Sequence, residues 1–172
     1  MALDAYYRDL AHLPLHERAK ANFDIPDALD DQLLIEQARA LSLGQAVDIP
    51  VYDFAHHART QAVERVQAGK FVILEGLFTL YWEQLRSLFD VKVFVVADDA
   101  TCLNRRLERD IRERGRSRES VLEQYRLTVR PMAEKYVLPT RHFADLVLDG
   151  AGPIEQSVEA VLASARLSLP GG

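Results

Sequence analysis

One cysteine, Cys102, in 172 residues excludes an internal disulfide. That usage points to a reducing compartment. No apolar run approaches the roughly 20 residues that a membrane-crossing helix needs. MALDAYYRDL at the start has no basic-then-apolar leader pattern. These absences set the expectation of a cytoplasmic protein with no membrane partner. Basic charge is also short: 21 Lys and Arg against 26 Asp and Glu give a net charge of -5. A general nucleic-acid binder carries a dominant basic surface, so nucleic acid is not an expected partner. The length fits one domain, 1–172, large enough to bury a core without disulfide or metal.

The scarce positive charge is concentrated in one place. RRLERDIRERGR, residues 105–116, holds six arginines and no lysine. Against its three acids the segment carries +3, which leaves -8 on the rest of the chain.

Three short apolar runs rich in β-branched residues are FVILEG (71–76), VKVFVVA (91–97) and ADLVLD (144–149). Each suits a strand buried on both faces of a parallel sheet. Helical patterns separate them. Residues 30–43 open on acids and stop at Gly44. Residues 80–89 predict a short helix, 100–114 and 117–136 two longer ones broken at Gly115, and 153–168 a closing helix behind Pro153. Strands alternating with helices imply an α/β fold with a parallel sheet. One stretch departs from this rhythm. Residues 46–67 read as two extended pieces around HHAR, a hairpin-like insertion, with Pro50 confining the first piece to an edge.

The arginines fit two descriptions. Glu108 with Arg112 and Arg109 with Glu113 are pairs four residues apart, common on solvated helices. But Arg105, Arg109, Arg112 and Arg116 also fall on one stripe, and Arg is favoured for two-pronged phosphate recognition. Gly115 puts Arg114 and Arg116 at a turn. A lid over 105–118 that closes on a polyphosphate follows from that pattern. Phosphoryl transfer also needs carboxylates near the sheet edge. Glu75 ends the first apolar run, where open parallel sheets bind ligands, and is a candidate Mg²⁺ ligand. Asp4 follows MAL, a possible second strand end.

Taken together, DAYYRDL (4–10), NFDIPDALD (22–30), PVYDFAHHAR (50–59), VILEG (72–76), RRLERDIRERGRS (105–117) and the Gln-Tyr of EQYRLTVRP resemble the uridine kinase (uridine-cytidine kinase) family of P-loop kinases. PTRHFADLVL (139–148) resembles the family's approach to its last strand, and the similarity spans residues 3–150. The resemblance implies a three-layer parallel sheet of P-loop kinase type, with a small β-hairpin insertion and an Arg-rich helical lid. It implies an enzyme of pyrimidine salvage, which transfers the γ-phosphate of ATP or GTP, with Mg²⁺, to the 5′-hydroxyl of uridine or cytidine. By position, Asp4 matches the acid that takes the hydroxyl proton and sits beside the metal. Tyr7 matches a tyrosine near the nucleoside, and Asp24 the acid that holds the ribose hydroxyls. Tyr52, Phe54 and His57 match the base pocket. Arg106 and Arg116 match nucleoside- and phosphate-side contacts, Gln124 a substrate amide contact, and Arg109 and Arg114 the lid arginines. The family's assembly implies a homo-oligomer, a tetramer.

The sequence departs from that pattern in one large respect. No two of its eight glycines lie five apart, so GxxxxGK[ST], whose amides and lysine cradle the β- and γ-phosphates, does not occur in it. The expectation from the family is therefore an N-terminally truncated kinase domain that lacks its first strand and P-loop. In the family that strand runs between those matching 71–76 and 91–97, so its loss leaves open ladders. The alternative is a non-catalytic nucleoside-binding remnant. A related kinase of sugar phosphates or pantothenate is a third possibility, disfavoured by YDFAHHAR and NFD. Ile25 stands where the family often has His, and Val96 where an acid is common.

Overall fold

A computed structural model describes residues 1–18 and 20–168. The chain forms two compact units, Met1–Leu88 and Phe89–Gly172.

In the first unit Leu3–Tyr6 is a 3₁₀ turn and Leu15–Arg18 a single helical turn, α1. Helix α2 spans Asp31–Ser42. Its bounds follow from capping. The Asp30 carboxylate accepts the Leu33 N–H at 3.3 Å, and Gly44 takes the left-handed conformation (φ 78°) just past the end. Leu34, Ala38 and Leu41, spaced four and three apart, are its buried face. Strands β1 (Val47–Asp53) and β2 (Ala58–Val66) form the expected antiparallel hairpin. Its register shifts between Pro50 and Tyr52, where proline removes a ladder donor. Val47, Ile49 and Tyr52 of β1 are buried, together with Leu3, Tyr6, Leu29, Phe78, Leu80 and Leu85. The helix expected over 80–89 contracts to α3, Glu83–Arg86. Before it, Phe78, Tyr81 and Trp82 pack edge to face, and Arg86 donates to the Leu80 and Tyr81 carbonyls.

The second unit holds the parallel pair β3 (Val93–Val96) and β4 (Leu146–Asp149), in the register Val93 to Leu146 through Val96 to Asp149. Between them run α4 (Asp99–Arg114) and α5 (Arg118–Gln124). Beyond α5 the helix continues as a π-turn at Tyr125–Val129, the short α6 at Arg130–Met132 and a second π-turn at Ala133–Val137. Pro131 lacks the N–H that a regular helix would use there. Helix α7, Ile154–Ser168, follows Pro153. Asp98 caps α4 by accepting the Thr101 N–H at 2.8 Å. Ser117 caps α5 through Ser120.

The class is therefore α/β with a parallel sheet, but FVILEG is not a full strand. Only Glu75 makes a parallel bridge, to Ala2. The Leu3 N–H donates to the Glu75 carbonyl (2.9 Å) and the Glu75 N–H to the Met1 carbonyl (3.1 Å). A ladder extends only as far as its neighbour, and Leu3 already enters the 3₁₀ turn. Phe71, Val72 and Ile73 keep the apolar character of a two-face-buried strand yet are exposed. Val95 of β3 and Val147 of β4 are exposed likewise.

Gly76 makes the approach of Leu3 possible. Its φ is 144°, and a Cβ there would sit 2.5 Å from the Leu3 Cβ. Gly44 also has positive φ, but nothing lies within 4 Å of the equivalent Cβ. Gly76→Ala is expected to destabilise the protein by about 3 kcal/mol or more, and Gly44→Ala by about 1 kcal/mol. Urea unfolding of the two variants measures the difference, and equal effects would show that the Leu3 contact is not limiting.

Candidate functional site

In the first unit the structure gathers five aromatic rings into a chain. Tyr52 lies 5.3 Å from Phe54 and 5.4 Å from Tyr7, centroid to centroid. Tyr7 meets Phe23 edge-on at 5.3 Å, and Phe23 stacks on His57 at 4.9 Å. Four of these, Tyr7, Tyr52, Phe54 and His57, are sequence candidates; Phe23 is not. Asp24 follows Phe23 directly, in a turn where its N–H donates to Asn22 Oδ1 at 2.9 Å. Phe54, at one end of the chain, is half-exposed, and Tyr52 beside it is buried. The Tyr52 hydroxyl is buried with no hydrogen-bond partner among the described residues. Burial, reinforced by Asp9, pushes its pKa up to about 12, so it stays a donor. An unmatched buried hydroxyl costs about 1–3 kcal/mol unless a bound group meets it.

His57 occupies the left-handed region at φ 48°, at the turn of the hairpin. Burial holds its pKa below the usual histidine value; Arg18 adds to this, and Asp53 opposes it. The ring is thus neutral at neutral pH and can both donate and accept. Neighbouring His56 instead pairs with Asp53 at 2.7 Å on the surface.

Two arginines that the motif pattern did not single out hold this cluster. Arg59 Nε donates to the Tyr7 carbonyl (2.9 Å), one terminal nitrogen to the Tyr6 carbonyl (3.1 Å) and the other to Asp30 Oδ2 (3.1 Å). Its backbone N–H donates to Asp9 Oδ1 at 3.2 Å. One guanidinium thereby joins the hairpin, the Tyr6–Tyr7 backbone and the cap of α2. Arg18 donates to the carbonyls of Leu13 (2.6 Å), Ala11 (2.8 Å) and His56 (3.0 Å), which ties the loop before α1 to the hairpin tip.

The carboxylate candidates Asp4 and Glu75 are both exposed and lie on adjoining backbone, since Leu3 pairs with Glu75. Among the described residues no group of three or more His, Cys, Asp or Glu could hold a metal ion. Two carboxylates fit a Mg²⁺ that keeps its waters and takes substrate phosphate, rather than an all-protein cage. An open groove of about 640 Å³ along α2, lined by Asp31, Glu36, Arg39, Leu43 and Gln84 among others, shares no residue with the aromatic cluster.

In the second unit the arginines converge on a residue that the motif pattern did not single out. Asp110 is fully buried in α4. Its Oδ1 meets Arg109 at 3.0 Å and Arg114 at 3.4 Å; its Oδ2 meets Arg106 and Arg116, both at 3.5 Å. Gln124 Oε1 of α5 accepts from Arg106 at 3.2 Å and from Arg116. The turn itself is tied back, because the Gly115 and Arg116 N–H groups both donate to the Asp110 carbonyl. Arg105 turns away to the Gly150 carbonyl at 2.9 Å, and Arg112 pairs with Glu113 on the surface. The structure thus brings together Arg106, Arg109, Arg114, Arg116 and Gln124, and separates Arg105 and Arg112 from them. Of the stripe inferred from spacing, only Arg109 and Arg116 belong to the cluster. The side chains of Arg109 and Arg114 remain 44% and 42% exposed, so outward N–H donors are accessible.

Arg59→Ala is expected to lower stability by about 2–3 kcal/mol, because two carbonyls and one carboxylate lose a charged donor. Urea unfolding reads it, and a loss under about 0.5 kcal/mol would show that the fork holds nothing.

Residues 1–155 match the model of the phosphoribulokinase/uridine kinase family. A uridine kinase of Chloroflexus aurantiacus is 46% identical over 166 residues, 96% of this chain and 79% of that one. The uridine kinase of Pasteurella multocida is 45% identical over 166 residues (96% and 77%), and that of Ligilactobacillus salivarius 39% over 163 (95% and 76%). Among solved structures, a chain described as a fructose transport system kinase from Silicibacter sp. TM1040 superposes with TM-score 0.67 at 20% identity, covering 86% of this chain and 72% of that one. YFH7 of Saccharomyces cerevisiae, described as a P-loop containing kinase with a circular permutation, gives 0.59 at 13% identity, covering 87% and 56%. These two similarities bear on the fold alone.

Proposed function

The chain belongs to the phosphoribulokinase/uridine kinase family, and we propose that it is a uridine/cytidine kinase that transfers the γ-phosphate of ATP or GTP to the nucleoside 5′-hydroxyl. The observation that carries this beyond family membership is the aromatic cluster of the first unit. Flat rings with one buried, unmatched hydroxyl and one neutral imidazole suit a planar base with polar edges. His57, able to donate or accept, tolerates either an oxygen or an amino group on that edge, which accounts for both uracil and cytosine. Asp24, beside Phe23, is assigned to the ribose hydroxyls.

Asp4 is assigned the 5′-hydroxyl proton. An ionised aspartate is a weak base, but it suffices where positioning and charge neutralisation carry most of the barrier. Asp4 and Glu75 would hold Mg²⁺, which supplies charge neutralisation at the phosphates when bound. In the second unit Arg109 and Arg114 are assigned to nucleotide phosphate through their outward N–H groups, Arg106 and Arg116 to nucleoside- and phosphate-side contacts, and Gln124 to a substrate amide contact. Pyrimidine salvage in the cytoplasm and assembly as a tetramer are the corresponding proposals for context. The base pocket falls to residues 46–67 and the lid to 105–118 of one kinase domain.

A second possibility, binding without turnover, is favoured by one sequence fact: these 172 residues contain no GxxxxGK[ST] cradle. A coupled phosphorylation assay with uridine, ATP and Mg²⁺, beside uridine calorimetry, separates the two. Turnover is the expected result. Binding without turnover would establish the second possibility, and neither would overturn both.

The pocket also predicts a pH dependence. A histidine whose folded pKa is depressed binds its proton more readily unfolded, so its contribution is complete above about pH 6.5 and is lost as pH falls through the folded value. Cytidine affinity, which needs the His57 ring to accept from the amino group, is expected to be flat from pH 8 to about 6.5 and to weaken below it. A His57→Gln variant should flatten the acid limb, and an unchanged limb would remove His57 from base recognition.

A further inference from the structure

Four guanidinium groups packed around one turn repel one another, yet Arg106, Arg109, Arg114 and Arg116 share a single buried anion. We propose that Asp110 is the positioning residue of the phosphate lid: its carboxylate aims the four arginines so that they act as one polyphosphate-binding group. The inference rests on the lid function proposed above.

The geometry supports a division of donors. A guanidinium has five N–H groups, and Asp110 takes two nitrogens of Arg109 and one each of Arg106, Arg114 and Arg116. Arg109 is held most firmly, with both Nε and a terminal nitrogen on Oδ1 at 3.0 Å. Arg114, four residues after Asp110, shares that oxygen. Arg106 and Arg116 approach Oδ2 more loosely and are held jointly by Gln124. The Asp110 carbonyl takes the Gly115 and Arg116 N–H groups, so one residue fixes both the turn and the side chains beyond it. Glu108 and Glu113, the other acids of the segment, are exposed and touch none of these four in this way. A longer side chain would move the shared anion, and an amide would present an N–H to a cation.

Asp110→Asn tests this with opposed signs. The substitution keeps shape and raises the local charge from +3 to +4, so charge counting predicts tighter anion binding. Positioning predicts the reverse. With inorganic tripolyphosphate as the probe, calorimetry on the folded Asp110→Asn variant, run below its lowered melting temperature, should show about tenfold weaker binding. The Arg109 Nε–H resonance, sharp in the wild type, should broaden. Asp110→Glu keeps the charge and displaces the carboxylate; it should weaken binding by about threefold, and it decides the matter if the Asn variant does not fold. Wild-type affinity or tighter binding in a folded variant overturns the proposal alone. Absence of tripolyphosphate binding by the wild-type chain overturns the lid function and this inference with it.

Discussion

A guanidinium has five N–H donors in one plane and no acceptor, so once it is half-buried it must find carbonyls and carboxylates on several sides. Arg59 finds them on Tyr6, Tyr7 and Asp30. Those three belong to the N-terminal turn, the segment entering the pocket and the cap of α2. The hairpin that carries Tyr52, Phe54 and His57 is therefore fixed to the wall that carries Tyr7. Without that fork the rings would be held by the Arg18 bond to the hairpin tip and by stacking, worth about 1 kcal/mol per pair.

The second unit inverts the arrangement: one anion collects several cations. Its apolar core is small, with Leu107 and Val121 the buried apolar side chains among the described residues. The order of the α4–α5 turn then rests largely on polar groups: the Asp110 carboxylate, the Gln124 amide, the Ser117 cap and left-handed Gly115. A buried carboxylate is tolerated only when its lone pairs are met, and four guanidiniums meet them. A segment held by charge rather than by packing is also one in which an arriving phosphate can engage the same donors.

Much of this could be read along the chain. Asp30 and Gly44 bracket α2, HHAR marks the hairpin turn, and Gly115 ends α4, because caps and turns are local chemistry. The apolar run 71–76 was misleading for a physical reason. Its composition records burial on both faces, whereas a strand also needs neighbours to pair with, and only residues 1–3 supply them. Asp110 looked like one of three acids diluting a basic helix. The available signal was its position three residues after Leu107, on the apolar face, where an isolated carboxylate must have partners. Phe23 stood inside a motif valued for Asp24, and nothing local announces that a ring will stack on one 34 positions away.

By itself the sequence determined the class, the hairpin, the caps and the grouping of arginines into one segment, since these depend on periodicity, turn residues and side-chain type. Tertiary structure decided which arginines converge and which turn outward. It also decided that Phe23 closes the ring chain, that Tyr52 carries a buried unmatched hydroxyl, and that Arg59 holds the pocket together. Such contacts join residues up to 53 positions apart, and no local periodicity encodes a partner that only chain folding brings within 3 Å.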